Sequence, residues 1–495
     1  MKRFFLWGVI LCTLHSLSAQ RLADDFTVEV YNYDIHKVGY PSKIVTDGNA
    51  NSVYVEYWEP GVGRRYSGYY LQCLNEDFAE LWFTPISQTP EKPYQFDQVI
   101  ELDKSLAVVG YEYQAKDKKW EGRVACFSKE GKPLIPSLKI DPPGLKKYEA
   151  GAADLYAVAP LRNRLLRLHH HPKDGAKSEV FATCLTSEGK IEWSSELKIP
   201  FTEENYAIKQ IAMDGEGVVW ILLEYENLTG KFETDKDFLP RVAAYRYKDN
   251  SWLTWKVNIN GQSVSAAQLG MNRDGKICVT MITGNNLGGG FTNGTRNAKL
   301  ITNWSGAYLQ QLSAGKEITL IKDHHLAFTD STIAKFKTEG ADFVGPGKIV
   351  FESGQLVWCL ENQYSLLKEQ GKVDFCAEVL ALQADLSTGQ WKQIYRIDKK
   401  QRDRSGTTLL SFSPVATPGK VHLIYLSSVG ADGKIISANI DLSTTKLSYK
   451  DVVSNEEGQF YFLSDRTGRL GNTSYMFLGT GNTNNQEYRL LKIEF

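Results

Sequence analysis

The feature that most restricts the fold of this chain is a repeated pair of strands. YYLQCLNEDFAELWFTPI, GRVACFSKEGKPLIPSLKI and FATCLTSEGKIEWSSELKI each consist of a strand, an acidic or glycine-containing turn and a second strand. One position of the pattern holds Cys73, Cys126 and Cys184, and nine residues later come Trp82, Ile135 and Trp193. A recurring pattern indicates one structural unit used several times, so the sequence predicts an array of β units.

A second hairpin with a tight Gly, Asp or Asn turn precedes each pair, as in QIAMDGEGVVWILLEYE and LGMNRDGKICVTMITG. Each unit then has four short strands, which we name a, b, c and d in chain order. Short alternating strands with regular turn signals favour an all-β fold, and a four-stranded antiparallel unit is typical of a β-propeller blade. Eight a–b hairpins are predicted, beginning near Lys43, Asp97, Leu155, Ile208, Ala266, Gly347, Leu409 and Phe460.

The last unit lacks its own strand d, because the chain ends in EYRLLKIEF, its strand c. The segment DDFTVEVYNY at 24–33 can supply that strand and close the ring, which removes exposed sheet edges. The predicted fold is a single all-β propeller domain over 20–495, with eight four-stranded antiparallel blades. Seven blades, or several smaller β-domains in series, are the alternatives.

The N-terminus has the pattern of a secretory signal peptide. Lys2 and Arg3 precede an almost unbroken apolar run over 4–14, and small residues follow up to Ala19. The run is about half of the ~20 residues that span a bilayer, so a removed signal at 1–19 is favoured over an anchor. The sequence therefore predicts export to the periplasm, the outer surface or the medium, and no integral membrane segment.

The charge balance excludes one class of partner. The chain has 57 basic and 58 acidic residues, and removal of the signal takes away only Lys2 and Arg3, which leaves a net charge of about −3. A nearly neutral surface of mixed sign gives no electrostatic reason to expect nucleic acid as a partner.

Loop length predicts which rim of the ring carries function. In an a–b–c–d meander the a–b and c–d turns share one rim, and the b–c and d–a connections share the other. The second set contains the long segments, among them EPGVGRRYSG, ENLTGKFETDKDFLP, GNNLGGGFTNGTRN and NQYSLLKEQGKVD. Binding residues concentrate in loops on rigid scaffolds, so the b–c/d–a rim is the predicted working face.

Three groups of loop residues are candidates for ligand binding on that rim. Cations and aromatic residues in the first two blades suit an acidic ligand or a protein hot spot, and amides with an aromatic ring in blade 5 suit a sugar. Ordinary solvated loops are the alternative. The candidates are Arg64, Arg65 and Tyr66 in blade 1, Lys119, Trp120 and Arg123 in blade 2, and Asn286, Asn293 and Trp304 in blade 5.

His169 and His171 lie on one side of a strand end, since side chains alternate with period 2, and two imidazoles can share a metal. His324 and His325 are a source of a third ligand only if the d–a loop of blade 5 folds across the ring. A solvent-exposed histidine cluster is the alternative. No catalytic residue can be assigned, because nothing in the spacing selects a nucleophile, a base or a pair of carboxylates.

The six cysteines after the signal sit mid-strand, where they are predicted to pack as small hydrophobic residues. Cys359 and Cys376 fall on the b and c strands of one blade, so a cross-strand disulfide is conceivable.

The segment ALQADLSTGQWKQIYRI resembles the repeat of quinoprotein-type propellers through Asp385, Thr388, Gly389 and Trp391. In that family the element docks adjacent blades, so the resemblance implies an eight-bladed propeller. It covers one blade well and one partly, since ANIDLSTTKLSY keeps only Asp441 and Thr444. It does not imply quinone chemistry.

The sequence thus predicts an exported, monomeric propeller that binds a protein or glycan on its b–c/d–a rim without a cofactor. A carbohydrate-active hydrolase or lyase with its site at the channel mouth is the alternative, and a quinone-dependent oxidoreductase is a third. Propellers host all three functions, so the fold does not choose among them.

Overall fold

The structure, a computed structural model, describes part of the chain in detail. The described residues are 20–22, 26–32, 40–46, 53–59, 68–75, 77–86, 94–114, 116, 119–141, 153–171, 179–201, 206–225, 239–259, 263–272, 274–284, 287–289, 299–301, 304–329, 347–368, 371–399, 401–403, 411–428, 433–454, 461–470, 474–480 and 488–495. Within these ranges the chain forms strands and turns and no helix long and apolar enough to cross a bilayer.

Eight antiparallel sheets, mostly of four consecutive strands, follow one another along the chain. The N-terminal strands are β1 (Gln20–Leu22) and β2 (Phe26–Asn32). Sheet 1 comprises β3 (Tyr40–Thr46), β4 (Val53–Glu59), β5 (Gly68–Leu74) and β6 (Glu80–Pro85). Sheet 2 comprises β7 (Tyr94–Glu101), β8 (Ser105–Gln114), β9 (Lys119–Ser128) and β10 (Pro133–Lys139). Sheet 3 comprises β11 (Ala153–Val158), β12 (Arg164–His171), β13 (Glu179–Thr186) and β14 (Ile191–Glu196). Sheet 4 comprises β15 (Tyr206–Met213), β16 (Val219–Tyr225), β17 (Arg241–Arg246) and β18 (Ser251–Lys256).

The second half of the chain continues the series. Sheet 5 comprises β19 (Ser263–Met271), β20 (Ile277–Gly284), β23 (Trp304–Ala314) and β24 (Ile318–Ala327), with a small hairpin of β21 (Leu287–Gly289) and β22 (Lys299–Ile301) in its b–c connection. Sheet 6 comprises β25 (Lys348–Glu352), β26 (Gln355–Lys368), β27 (Gly371–Asp385) and β28 (Gln390–Ile397), and β29 (Gln401–Asp403) also pairs with β27. Sheet 7 comprises β30 (Phe412–Thr417), β31 (Lys420–Leu426), β32 (Lys434–Asp441) and β33 (Lys446–Ser454). Sheet 8 contains β34 (Tyr461–Leu470), β35 (Ser474–Thr480) and β36 (Tyr488–Glu494).

The first strands of several neighbouring sheets contact one another, which is the arrangement of a propeller-like fold. These contacts join β3 to β7, β11 to β15, β15 to β19, β25 to β30 and β30 to β34, and β3 also contacts β34. The eight predicted a–b hairpins correspond to the first two strands of the eight sheets.

Sheet 8 receives its fourth strand from the other end of the chain. β2 pairs antiparallel with β36, from Thr27 opposite Glu494 to Asn32 opposite Arg489, and β1 pairs with the far side of β2. The prediction that the N-terminal segment supplies the missing outer strand is therefore confirmed.

Burial explains why strands b and c are nearly continuous in apolar residues whereas strand d alternates. Every residue of β20 is buried, because neighbouring sheets cover both of its faces. β24, the outer strand of the same sheet, alternates buried or half-buried with exposed residues. Most apolar burial therefore lies between sheets.

The repeated cysteine position is a packing position, as predicted. Cys73 pairs across strands with Trp82, and Cys184 pairs in the same way with Trp193. All six described cysteines are buried thiols that form no disulfide, and burial raises the pKa of Cys184 to about 12. The suggested disulfide does not form, because Cys359 lies opposite Ala381 and not opposite Cys376.

Successive sheets dock through the outer strand of one and the c–d turn of the next. The indole Nε1 of Trp82 in sheet 1 donates to the carbonyl of Lys129, 2.9 Å away in the turn of sheet 2. Gly131 in that turn has φ +76°, and a Cβ there would lie 2.5 Å from Cδ2 of the Trp82 ring. Trp391, from the quinoprotein-like element, instead joins two outer strands, because its Nε1 in β28 donates to the carbonyl of His324 in β24 at 3.3 Å.

Two predictions about connections are wrong. His324 and His325 belong to β24 and not to a loop, and His325 stacks on Tyr308. The segment NQYSLLKEQGKVD, predicted as a long loop, continues β26 and β27 as a paired hairpin. Polar composition suggested a loop in both cases, whereas cross-strand pairing extends the strands.

A buried histidine in sheet 7 predicts acid sensitivity. His422 is 3% exposed, and its ring nitrogens lie 2.8 Å from Thr417 Oγ1 and 2.6 Å from Asn439 Oδ1. Burial lowers the pKa of His422 to about 4. Its contribution to stability is thus complete above about pH 6.5 and is lost as the pH falls towards 4.

We expect this histidine to account for about 2 kcal/mol of lost stability between pH 7 and pH 5. Urea unfolding of the wild type and of His422→Gln at both pH values measures it. The pH dependence of the variant should be smaller by that amount, and equal dependence in both proteins would contradict the assignment.

Candidate functional site

A group of ionisable side chains, several of them buried, lies between sheets 2 and 3, on the b–c/d–a rim. We call it the seam cluster. Sheet 2 contributes Asp97 and Tyr111, Asp141 is the second residue after β10, and sheet 3 contributes Asp154, Tyr156, Arg167 and His169.

Arg167 holds the cluster together. Its side chain is 2% exposed, its Nη1 donates to Asp141 Oδ1 at 2.8 Å, and its Nε donates to Asp154 Oδ2 at 2.8 Å. The guanidinium also lies over the Tyr111 ring, 5.6 Å from the centroid. Burial by itself would lower the pKa of Arg167, but the two carboxylates raise it well above its ordinary value. One cation therefore binds carboxylates from both sheets.

Asp154 accepts several hydrogen bonds within the cluster. His169 Nδ1 is 2.6 Å from Asp154 Oδ1, and the Tyr111 hydroxyl donates to Oδ2. Burial would raise the pKa of Asp154, yet the hydrogen bond of His169 and the charge of Arg167 lower it to about 2. The carboxylate is thus ionised at neutral pH.

The two tyrosines carry protons that the carboxylates accept. The Tyr156 hydroxyl donates to the exposed Asp97 and lies 3.2 Å from Asp154 Oδ2. Burial, followed by the nearby carboxylates, raises the pKa of Tyr156 far above its usual value. Burial also raises the pKa of Tyr111. Both hydroxyls therefore act as hydrogen-bond donors.

Strand register explains why these residues meet. On β11 and β12, Asp154 lies opposite His169, and Tyr156 lies opposite Arg167. Because side chains alternate between the two faces of a strand, Asp154 and Tyr156 share one face of β11, and Arg167 and His169 share one face of β12. At Gly122 on β9 a Cβ would lie 2.8 Å from Arg167 Nη1, and its backbone N–H donates to Asp141. A side chain there would displace the ion pair.

The cluster has two chemical capabilities. Buried and multiply hydrogen-bonded charges bind sheet 2 to sheet 3 near the end of β12 and just after β10. An aspartate that accepts from Nδ1 of a histidine also fixes the ring, the arrangement found where histidine works as an acid or base.

A second buried ion pair lies at the same rim between sheets 6 and 7. The Lys399 ammonium donates to Glu361, and it also donates to Gln401 Oε1 at 2.6 Å. Gln401 Nε2 then donates to the carbonyl of Leu426 in sheet 7, at 2.7 Å. Polar networks at this rim thus join sheets in two places.

The predicted binding residues of blades 1 and 5 are mostly outside the described part of the chain. Trp304 begins β23, where only its backbone is described. The residues outside the described ranges are Arg64, Arg65, Tyr66, Asn286 and Asn293. These candidates stay predictions.

The blade 2 candidates lie in a strand, whereas the sequence placed them in a loop. Lys119 and Trp120 begin β9, and the Trp120 ring lies 5.3 Å from that of Tyr113. Arg123 Nη2 is 2.7 Å from Glu121 Oε2, so this cation pairs within its own sheet. Trp120 is half-buried.

The structure describes the side chain of His169 but not that of His171, the two histidines of the suggested metal site. His169 is committed to Asp154, and only the backbone of His171 is described. Within the described ranges, no three His, Cys, Asp or Glu side chains are placed to hold a metal ion. Metal binding by His169 and His171 stays a prediction.

Sequence reasoning named His169 but missed its partners. Arg167 precedes it by two residues inside the apolar run LLRLHH, and Asp154 and Tyr156 alternate in the preceding strand. A charged residue inside a buried strand signals a buried partner. Asp141 lies 26 residues from Arg167 in the chain, and local pattern does not connect them.

No protein-family model matches the chain, and no characterised protein matches it at significant sequence similarity. Several solved structures are similar in fold. The β-propeller domain of the Trilobed protease from Pyrococcus furiosus has 9% identity and a TM-score of 0.38, over 81% of this chain and 93% of that one. The polysaccharide lyase Uly1 has 8% identity and a TM-score of 0.43, over 92% and 90%. Such low values do not indicate a shared activity.

Proposed function

We propose that the chain is an exported, closed ring of eight blades that binds a protein or glycan on its b–c/d–a rim. The observation that carries this proposal is the inequality of the two rims. The a–b and c–d turns of the described sheets are short. Their lengths lie between two residues, as at 353–354, and six residues, at 47–52. The b–c and d–a connections include 226–240, 285–303 and 328–347.

The positions of two buried charge networks also favour the b–c/d–a rim as the binding face. The seam cluster and the Lys399–Glu361 pair both lie where strands meet the long connections. Buried networks with several hydrogen bonds hold their backbone rigidly, and rigid supports suit a binding surface because less entropy is lost on binding. Contact between β3 and β34 and pairing of β2 with β36 support ring closure.

A carbohydrate-active hydrolase or lyase is the second candidate, and one observation favours it. His169 Nδ1 lies 2.6 Å from Asp154 Oδ1, and two tyrosine hydroxyls donate to the same carboxylate, which is the composition of an acid–base group. Because His169 and Asp154 are almost wholly buried, a role in joining the sheets explains the geometry with fewer assumptions.

A thermal-shift screen of protein beginning at Gln20 tests the binding function, with neutral and acidic glycans, random octapeptide pools, divalent metals and quinone as probes. A ligand at 100 times its Kd stabilises the folded state by about 2.7 kcal/mol, so one probe class should raise the melting temperature. Trp120→Ala on the proposed rim should reduce the shift. Leu161→Ala, at a 71% exposed position in an a–b turn, should leave it unchanged.

Loss of the shift in Leu161→Ala alone would contradict the choice of rim, and no shift with any probe would contradict the proposed ligand classes. Release of shortened oligosaccharides from a glycan probe would support the second candidate instead. In that case His169→Gln should abolish product formation.

A further inference from the structure

The strand that completes sheet 8 lies close to the predicted start of the exported chain. The signal predicted at 1–19 ends in Ala19, and the first strand, β1, begins at the next residue, Gln20. β2, which pairs with β36, begins at Phe26. The chain that remains after removal of the signal therefore starts with a glutamine, and only the segment 20–25 precedes β2.

An N-terminal glutamine carries two groups that react with each other. Its α-amine has an ordinary pKa of about 8, so a fraction of the amine is unprotonated at neutral pH. The amine nitrogen attacks the side-chain carbonyl carbon Cδ, and a five-membered lactam closes. The bond from Cδ to the amide nitrogen breaks, and that nitrogen leaves as ammonia with the proton that the amine loses. No oxidant, reductant or second reactant takes part.

The reaction is independent of the surroundings of the strand. It joins two groups of one residue, so it requires no neighbouring side chain in a given position. Backbone pairing of β1 starts with Gln20 opposite Val28, and β1 is the outermost strand in the order β1–β2–β36–β35–β34. The lactam therefore forms at the first position of the outermost strand, where it removes the positive charge of the terminus.

We propose that Gln20 becomes pyroglutamate once the signal is removed, and that the lactam protects β2 from aminopeptidases. This site rests on the export stated in the proposed function and adds a modification to it. Chain termini are favoured places for proteolysis. Aminopeptidases bind a free α-amine, which the lactam lacks. The sequence of 20–32 contains no proline that would halt the stepwise removal of residues.

The position of the block matches the residues whose loss has consequences. Trimming up to Leu22 removes only β1, which pairs with β2. Trimming past Phe26 shortens the strand that pairs with β36 from Thr27 to Asn32. The uncovered edge of β36 would then be a template for pairing with another chain. A block at the first residue stops trimming before it reaches that strand.

Mass spectrometry of the full chain, exported by a bacterial host, tests the modification. We expect a protein that begins at residue 20 and is lighter by about 17 Da, the mass of ammonia, with the loss located at that residue by fragmentation of the N-terminal peptide. Gln20→Asn is the matched control, because its side chain is one methylene shorter and the corresponding ring would have four members. The variant should keep a free α-amine and show no loss of ammonia.

Digestion of the purified protein with an aminopeptidase of broad specificity tests the protection. The wild type should keep its mass, whereas Gln20→Asn should lose residues from its N-terminus. The melting temperature of the variant should fall once Phe26 has been removed. Pyroglutamyl peptidase removes the blocked residue and leaves a free amine on Arg21, so wild type treated in this way should become as sensitive as the variant.

A free amine on Gln20 in the exported protein would overturn the modification, and so would a loss of ammonia that persists in Gln20→Asn. A chain that begins elsewhere in the mature region would overturn this site while keeping export. A chain that retains 1–19 would contradict export itself. Equal resistance of the wild type and Gln20→Asn to the aminopeptidase would overturn the protective role of the lactam.

Discussion

Replacement of Arg167 by methionine should destabilise the protein by about 3–5 kcal/mol at pH 7. The substitution leaves Asp141 and Asp154 buried without their shared cation, and an uncompensated buried charge has a cost of that order. Urea unfolding followed by tryptophan fluorescence measures the effect as a lower midpoint.

The control is Lys104→Met, which breaks the ion pair with Glu188 at a position where the lysine is 62% exposed. Exposed ion pairs contribute little to stability because solvent screens them, so this variant should resemble the wild type. Similar midpoints for Arg167→Met and Lys104→Met would show that the seam cluster does not join the sheets.

The Arg167→Met deficit should also shrink as the pH falls from 7 towards 4. In the wild type the pKa of Asp154 is lowered from its ordinary value of 3.8 to about 2. The ionised carboxylate therefore stabilises the fold fully at a pH above its ordinary pKa, and this contribution is lost as the pH falls towards 2. Without the cation, burial raises the carboxylate pKa, and protonation relieves the cost at a higher pH. A deficit that grows on acidification would contradict this account.

Deletion of 20–32 should strongly reduce both the yield of soluble monomer and the melting temperature. It removes β1 and β2 and leaves β36 as an open edge in sheet 8. We expect loss of soluble monomer through edge pairing, together with a large fall in melting temperature, because the sheet loses its outer strand. Size-exclusion chromatography and thermal unfolding measure both.

Deletion of 20–22 alone is the matched control, since β1 pairs only with β2 and lies outside the four-strand core of sheet 8. This variant should stay monomeric with a small change in melting temperature. A fully stable, monomeric protein without 20–32 would contradict the role of β2 as the strand that completes the last sheet.

The repeat could be read from the sequence because its causes are local. Alternation, turn residues and the cysteine position lie within a few residues of each other, and they located all eight a–b hairpins. Even the strand supplied by the N-terminus followed from counting, since one unit lacked its strand d.

The candidate site could be predicted only in part. His169 was named from its spacing, but the sequence suggested a metal partner, whereas the structure pairs it with Asp154. Trp120 and Arg123 were placed in a loop, yet pairing between β8 and β9 extends to Lys119. Polar residues near a strand end suggest a loop, while the hydrogen-bonded neighbour decides where the strand stops.

By itself the sequence determined the strands, their order and the unit that repeats, because alternation and turn chemistry act over short distances. The tertiary structure decided which charges meet, because residues far apart in the chain come together only when sheets pack. Asp141 reaches Arg167 only because sheets 2 and 3 pack side by side.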